Sequence, residues 1–279
     1  MKKLLLVLLC LLTLSACADA RAKLQKSEKV LQVGKESISD KELFGLLIEQ
    51  YGAEAVITII NDYIYNQLAS TKEDFTETIE SYCLLYSSLY GPTYYQRLGF
   101  ASETAFKAKL LQDNKTKLIV EKYLESNFDK VVETYRPTKL AILQFTEYDD
   151  AVAALAVAKT GVAFAELAGD FKATDFSDGS VNIYTTYSGL SPEVTSFGLY
   201  AEKEALVEIP LFSGDGKYYI IQVISVDRQS YKEEILEVMA EVSNIPGDAI
   251  SYYCELYQLT YYDKTIIEHL VYTNPSYLR

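Results

Sequence analysis

The chain has 279 residues, with 26 basic against 39 acidic side chains and a formal charge of −13. No Lys/Arg cluster overrides that balance, which excludes nucleic acid and anionic headgroups as partners of its surface. His269 is the only histidine, which excludes His-based metal sites and Ser/His or Cys/His triads, and no cofactor is expected.

The chain opens Met1-Lys2-Lys3, then runs apolar from Leu4 to Leu12. A basic start and a short apolar run are the pattern of a secretory signal peptide. The run is too short to cross a membrane, which takes about 20 apolar residues. It ends in Leu14-Ser15-Ala16-Cys17, which resembles the lipobox of bacterial lipoproteins. The resemblance implies removal of residues 1–16 and a diacylglyceryl group on Cys17. Two or more acyl chains hold a protein firmly to a bilayer. Without Lys2 and Lys3 the balance is 24 basic against 39 acidic, a charge of −15. The small, polar residues from Cys17 to Glu28 read as a tether. The expected location is extracytoplasmic, lipid-anchored to the bacterial cell membrane.

Beyond the tether, residues 29–38 read as a short strand with a turn at Gly34. Ser39-Asp40-Lys41-Glu42 is a capping box. The helix it opens carries Leu43, Leu46 and Leu47 on one face and is expected to stop near Gly52. A second helix is expected from Glu54 to Ser70, with Val56, Ile59, Ile60, Tyr63 and Ile64 inward. Thr71 to Asp74 reads as the next cap. The helix after it carries Phe75, Ile79, Tyr82, Cys83, Tyr86 and Leu89 and ends at Gly91-Pro92. A short helix from Ser102 (Phe106, Leu110, Leu111) and a longer one from Lys115 to Val132 follow.

At Arg136-Pro137 the period changes. Leu140 to Phe145 is an apolar run of strand length. Helices are expected over Asp149–Lys159 and around Phe164–Ala168, and a strand near Val181–Thr185. Ser191-Pro192-Glu193 opens a short helix, proline being tolerated in the first turn. Ala205–Ile209 reads as a strand, and Gly214-Asp215-Gly216 turns into a β-rich run over Tyr218–Val226. Helices return over Glu233–Val242, break at Pro246-Gly247, resume over Asp248–Leu259 and end with Ile266–Tyr272.

The 24 tyrosines and absent tryptophan suit amphipathic packing with hydroxyls at the rim. The same residues also suit a surface that holds unfolded chains. Tyr82, Tyr86, Tyr253 and Tyr257 are the candidates, with core packing the simpler role. Cys10 leaves with the signal. Cys83 and Cys254 remain, as a disulfide or as two separate buried thiols.

Several segments in this order resemble the PrsA foldase lipoproteins and, more distantly, SurA. Val33-Gly34-Lys35-Glu36-Ser37-Ile38-Ser39-Asp40-Lys41-Glu42-Leu43 is similar to the family's opening strand-turn-helix. Leu98-Gly99-Phe100-Ala101-Ser102-Glu103 is similar to its next helix entry. Phe164-Ala165-Glu166-Leu167-Ala168, Phe176-Ser177-Asp178, Leu190-Ser191-Pro192-Glu193 and Tyr218-Tyr219-Ile220-Ile221-Gln222-Val223 resemble segments of a parvulin-type prolyl isomerase. The resemblance implies an α+β fold. A SurA-N-like helical chaperone domain would be built from both chain ends (29–135 and 229–279). A parvulin-like, FKBP-like β/α domain (136–228) would be inserted between them.

The same resemblance implies where an isomerase pocket would lie. The family's two His positions fall at Ala141 and Tyr219, and its Cys/Asp position falls near Gly179, beside Asp178. Its Phe position falls near Val194, and its Met/Leu position is kept as Leu190. The Gly-rich turn is replaced by Ser180-Val181-Asn182-Ile183-Tyr184. With His269 the only histidine and none at these positions, the usual network cannot form to lower the barrier of about 18–20 kcal/mol to amide rotation. The leading expectation is a chaperone for unfolded or newly translocated exported polypeptides, its isomerase activity weak or lost. An active isomerase with a divergent site and a structural or ligand-binding surface lipoprotein are the alternatives. Pairing with a second copy is left open.

Overall fold

The computed structural model describes residues 27–33, 36–69 and 74–278. The signal segment, Cys17, most of the tether, the turn at Gly34 and the cap residues 71–73 lie outside the described residues. Two compact units divide the chain. One takes residues up to Ile119 together with those from Pro246 onward, and the other is Val120–Ile245.

The first unit opens with an antiparallel pair, β1 (Lys29–Val33) and β2 (Glu36–Ser39). Helix α1 (Asp40–Leu68) follows directly. Its capping box forms as expected: Ser39 Oγ accepts from Glu42 N at 3.2 Å, and Ser39 N donates to Glu42 Oε2 at 2.8 Å. The expected stop at Gly52 does not occur, and α1 is one helix of 29 residues. A mid-helix glycine costs about 1 kcal/mol relative to alanine, which tertiary packing readily offsets. Gly52 is buried, and a Cβ there would lie 3.4 Å from Ile266 Cγ1. Its small size lets a C-terminal helix approach, so it is a packing residue rather than a stop.

Burial of α1 also departs from the periodic reading. Ile60, Ile64 and Tyr65 are buried, but Leu43, Leu46 and Leu47 are exposed, and Ile59 is 66 % and Tyr63 48 % exposed. Helix α2 (Thr76–Tyr90) starts where Asp74 Oδ1 accepts from Thr76 N at 2.9 Å, and it ends at Gly91. Ile79 and Cys83 pack with Tyr94 of the one-turn helix α3 (Tyr94–Arg97) and with Phe106. The two helices expected between residues 102 and 132 join into α4 (Glu103–Ser126). No glycine or proline interrupts them, and Asn114 instead donates to Leu110 O at 2.8 Å. A short helix, α5 (Phe128–Tyr135), follows and ends with Arg136 in a left-handed conformation.

The second unit is built on an antiparallel sheet. Its strands are β3 (Thr138–Phe145), β4 (Val181–Tyr184), β5 (Ala205–Leu206), β6 (Leu211–Phe212) and β7 (Tyr218–Ser225), in the order β4-β3-β7-β5 with β6 also on β7. Its helices are α6 (Tyr148–Ala158), α7 (Phe164–Asp170) and α8 (Pro192–Gly198). Ser191 caps α8, with proline in the first turn as expected.

This unit is wider than the expected 136–228 module. Helix α9 (Lys232–Ala240) belongs to it, and so does α5. The reason lies in named contacts. Lys139 pairs with Glu234 at 2.6 Å, and Thr186 N donates to Tyr135 O at 2.9 Å. Arg228 fastens the strand entry, donating from Nε to Pro137 O at 2.9 Å and from Nη2 to Thr138 Oγ1 at 3.0 Å.

The chain returns to the first unit through α10 (Ile245–Leu256), α11 (Lys264–Thr273) and a 3₁₀ turn (Pro275–Leu278). The expected break between two helices occurs, over residues 241–244, and Pro246 stands in the first turn of the second helix, where its missing N–H has no partner to lose. Asp263 caps α11, accepting from Thr265 N and Ile266 N. Within this unit the 3₁₀ turn is bound to α1, since Tyr277 Oη donates to Asn61 Oδ1 at 2.9 Å. Cys83 and Cys254 are both buried free thiols, so no disulfide joins them.

Candidate functional site

The pairing of β3 with β7 decides which side chains meet. Residues opposite each other share a face, and neighbours along a strand alternate. Gln144 lies opposite Tyr219, Ile142 opposite Ile221 and Leu140 opposite Val223. These share one face, on which α8 sits: a Cβ on Gly198 would lie 2.7 Å from Leu140 Cδ1. Ala141, opposite Gln222, faces the other way.

That register divides the residues of the expected pocket between two faces. Ala141 and Tyr219, assigned to the two His positions, point to opposite faces of the sheet. Gln144, the residue opposite Tyr219, lies three positions beyond Ala141, and an odd offset inverts the face. Ala141 lines one recess of about 310 Å³ with Ala158, Phe164 and Gly179. Tyr219 lines another, of about 440 Å³, with Gln144, Phe176, Pro192, Glu193 and Asp215.

The remaining predicted residues divide likewise. Gly179 has φ +78°, and a Cβ there would lie 2.5 Å from the Phe164 carbonyl carbon, so only glycine fits. Asp178 lines neither recess. It is exposed and accepts from Ser180 N at 2.9 Å and Ser180 Oγ at 2.5 Å, and these bonds hold its carboxyl below the usual range. Leu190 is half-buried against the sheet core and Val194 is fully buried within it. Both stand beside the Tyr219 recess, whose wall includes Gly189, Ser191 and Pro192.

The Tyr219 recess holds a connected polar network. Tyr219 Oη donates to Asp215 Oδ2 at 2.7 Å and accepts from Gln144 Nε2 at 2.5 Å. Gln144 Oε1 accepts from Thr174 Oγ1 at 2.5 Å. Phe176 stands edge-on to Tyr219, with centroids 5.6 Å apart. Burial, then the neighbouring carboxylate, pushes the Tyr219 phenol up to about 12. The bond from Tyr219 pulls Asp215 down. Glu193 is also lowered, by its own backbone N–H and then by Ser213 Oγ, which donates to it at 3.0 Å.

Gln144, Thr174, Phe176, Glu193, Ser213 and Asp215 are not among the expected site residues, although Phe176 and Glu193 stand in the segments that carry the resemblance. Two signals pointed to them. Gln144 is the one polar residue in the run from Leu140 to Phe145, and Asp215 sits in the turn that feeds the strand of Tyr219.

The arrangement can bind but lacks the parts for histidine chemistry. His269 is exposed on α11, in the first unit. Among the described residues no group of three or more His, Cys, Asp or Glu is placed to hold a metal. Of the tyrosine candidates, Tyr253 is buried, whereas Tyr86 and Tyr257 are half-buried and Tyr82 is exposed. Tyr257 meets Tyr63 edge-on at 5.5 Å.

A sheet-and-helix unit and a helical unit built from both chain ends define an α+β protein. Its neighbours among solved structures are PrsA foldases and SurA-like chaperones. Foldase protein PrsA of Streptococcus pneumoniae is 16 % identical, covering 87 % of this chain and 98 % of its own, with a TM-score of 0.44. The PrsA peptidylprolyl isomerase of Bacillus cereus is 16 % identical over 88 % and 97 %, with a TM-score of 0.48. A SurA-like chaperone structure of Campylobacter jejuni is 16 % identical over 84 % and 100 %, with a TM-score of 0.26. At these identities and TM-scores no activity or partner passes from those proteins to this chain. No family model and no curated protein matches the chain.

Proposed function

We propose that the chain is a membrane-anchored extracytoplasmic chaperone or foldase that binds unfolded exported proteins, with prolyl isomerase activity weak or lost. The observation that carries this reading is the apolar surface of the first unit. Leu43, Leu46, Leu47 and Ile59 of α1, and Leu84, Leu85 and Leu89 of α2, are exposed. Helix α1 is also long and apolar enough to cross a membrane by length and composition. Exposed leucine and isoleucine side chains on two helices suit an interaction surface, and unfolded chains are the partner that apolar surface suits without further specificity. The lipobox-like Leu14-Ser15-Ala16-Cys17 supports an anchor on Cys17.

Suppression of aggregation of an unfolded exported protein tests the chaperone role. Suppression at stoichiometric amounts is expected, weakened when Leu84 and Leu85 are changed to serine. No suppression would sink the proposal and favour a structural or ligand-binding lipoprotein. A protease-coupled assay on a prolyl peptide tests the second part, with turnover near the uncatalysed rate expected. The Tyr219–Asp215–Gln144 network is what favours a divergent active isomerase, so turnover that vanished in Y219F would establish that alternative. Mass spectrometry of the N-terminal peptide, with and without C17A, tests the lipid.

A further inference from the structure

The recess beside Tyr219 takes no part in the apolar surface that carries the chaperone reading, and its chemistry is of another kind. Two carboxylates, Asp215 and Glu193, line it. Hydrogen bonds from Tyr219 and Ser213 hold them in place and favour their charged forms. Neither forms an ion pair with a Lys or Arg among the described residues. Lys217, two residues from Asp215, gives its Nζ to Thr146 Oγ1 at 3.1 Å instead. Among the described residues, then, neither acid has a paired counter-ion.

The other walls are apolar. Phe176 is 42 % exposed with its ring braced on Tyr219, and Pro192 stands beside the carboxylates. The floor is rigid, since Gln144 and Tyr219 are both at least nine-tenths buried and bonded to each other. A concave site with apolar walls and a few convergent polar groups is the usual form of a ligand pocket. Here the polar groups are anionic and the walls aromatic, a combination that suits a cation on an alkyl stem. The stem lies along apolar surface while the head reaches the carboxylates, and an aromatic face adds cation–π attraction. An anion is repelled, and an uncharged prolyl ring gains nothing from two negative charges.

We propose that this recess receives a Lys or Arg side chain of a bound, extended client polypeptide. The proposal rests on the client-binding reading and deepens it, because the second unit would select basic segments while the first holds apolar ones. The formal charge of −13 favours the approach of such segments.

The test uses the full chain and a pair of labelled extended peptides, identical except for one central arginine or its neutral isostere citrulline. In fluorescence anisotropy the arginine peptide should bind roughly fivefold tighter at low salt, the scale of an exposed charge pair. The gap should close in E193Q and in D215N, and also at 0.5 M salt. E193Q changes an exposed side chain, so it keeps the test alive should D215N unfold the network. Equal affinity for the two peptides, a gap that persists in E193Q, or binding of neither peptide would overturn the proposal. Loss of suppression in the parent chain with the arginine preference intact would instead sink the chaperone reading and leave the recess standing.

Discussion

The Tyr219 phenol donates a 2.7 Å hydrogen bond to the Asp215 carboxylate from a side chain that is almost wholly buried. The turn Gly214-Asp215-Gly216 makes this geometry, because Gly216 at φ +77° folds the chain back and leaves Asp215 four residues before its partner. A hydrogen bond to a charged group contributes about 1.5–3 kcal/mol.

The first prediction concerns acid. Asp215 is held below its ordinary value, so its contribution is fully present above the unfolded carboxyl value of about 4. It is lost as the pH falls through the lowered folded value. Y219F should therefore lower stability at pH 7 by about 1–2 kcal/mol, and the difference from the parent should shrink below about pH 4. Denaturant unfolding at a series of pH values measures both. A difference that stayed constant down to pH 2 would contradict the account.

The alkaline limb follows from the same phenol. Burial raises Tyr219 to about 12 and also raises Tyr231, Tyr257 and Tyr277. A raised folded value means the contribution is fully present below the unfolded tyrosine value of about 10 and is lost as the pH climbs beyond it. A late rise of tyrosinate absorbance at 295 nm should coincide with loss of far-UV circular dichroism. Y219F should reduce its amplitude. Complete ionisation with the circular dichroism unchanged would show these phenols to be accessible.

Gly179 offers a test of the second unit's packing. Its positive φ and the 2.5 Å approach to the Phe164 backbone make G179A costly, by more than about 2 kcal/mol. Gly189 also has positive φ, at +68°, but open space around it. G189A should cost only about 1 kcal/mol, the backbone strain alone. Thermal or urea midpoints of the two variants check the ranking.

In the first unit, Tyr277 and Asn61 form a buried bond between residues 216 positions apart in the sequence. Y277F leaves Asn61 Oδ1 without its phenol donor and should cost about 1–3 kcal/mol. Hydrogen exchange in α1 and α11 should rise before exchange in the sheet. Uniform protection would mean that the C-terminal turn does not brace α1.

The two buried thiols give a chemical prediction. Burial pushes Cys254 up to about 11, so little thiolate forms near neutral pH. Alkylation of the native chain should spare Cys254. Alkylation in urea without reductant should modify both Cys83 and Cys254, read from their peptides by mass spectrometry. Resistance of both in urea would mean a disulfide.

Much of this protein was written in local sequence. The capping box at Ser39 and Glu42, the proline-opened α8, the β3 and β7 runs and the turn at Gly216 all depend on neighbours within a few residues. Short-range hydrogen bonds and backbone preferences decide such features. What tertiary structure decided was which of two local readings prevailed. Gly52 carries the mark of a helix end, yet it lies inside a helix, because Ile266 packs on it. Ile59 and Tyr63 have the spacing of a buried face and stand exposed, since periodicity marks an apolar stripe without supplying what covers it. The candidate site shows the same division. Tyr219 was legible by motif, but its partners Gln144, Asp215 and Glu193 come from three separated segments. Only the cross-strand register, with its period of two, turns Gln144 toward Tyr219 and Ala141 away.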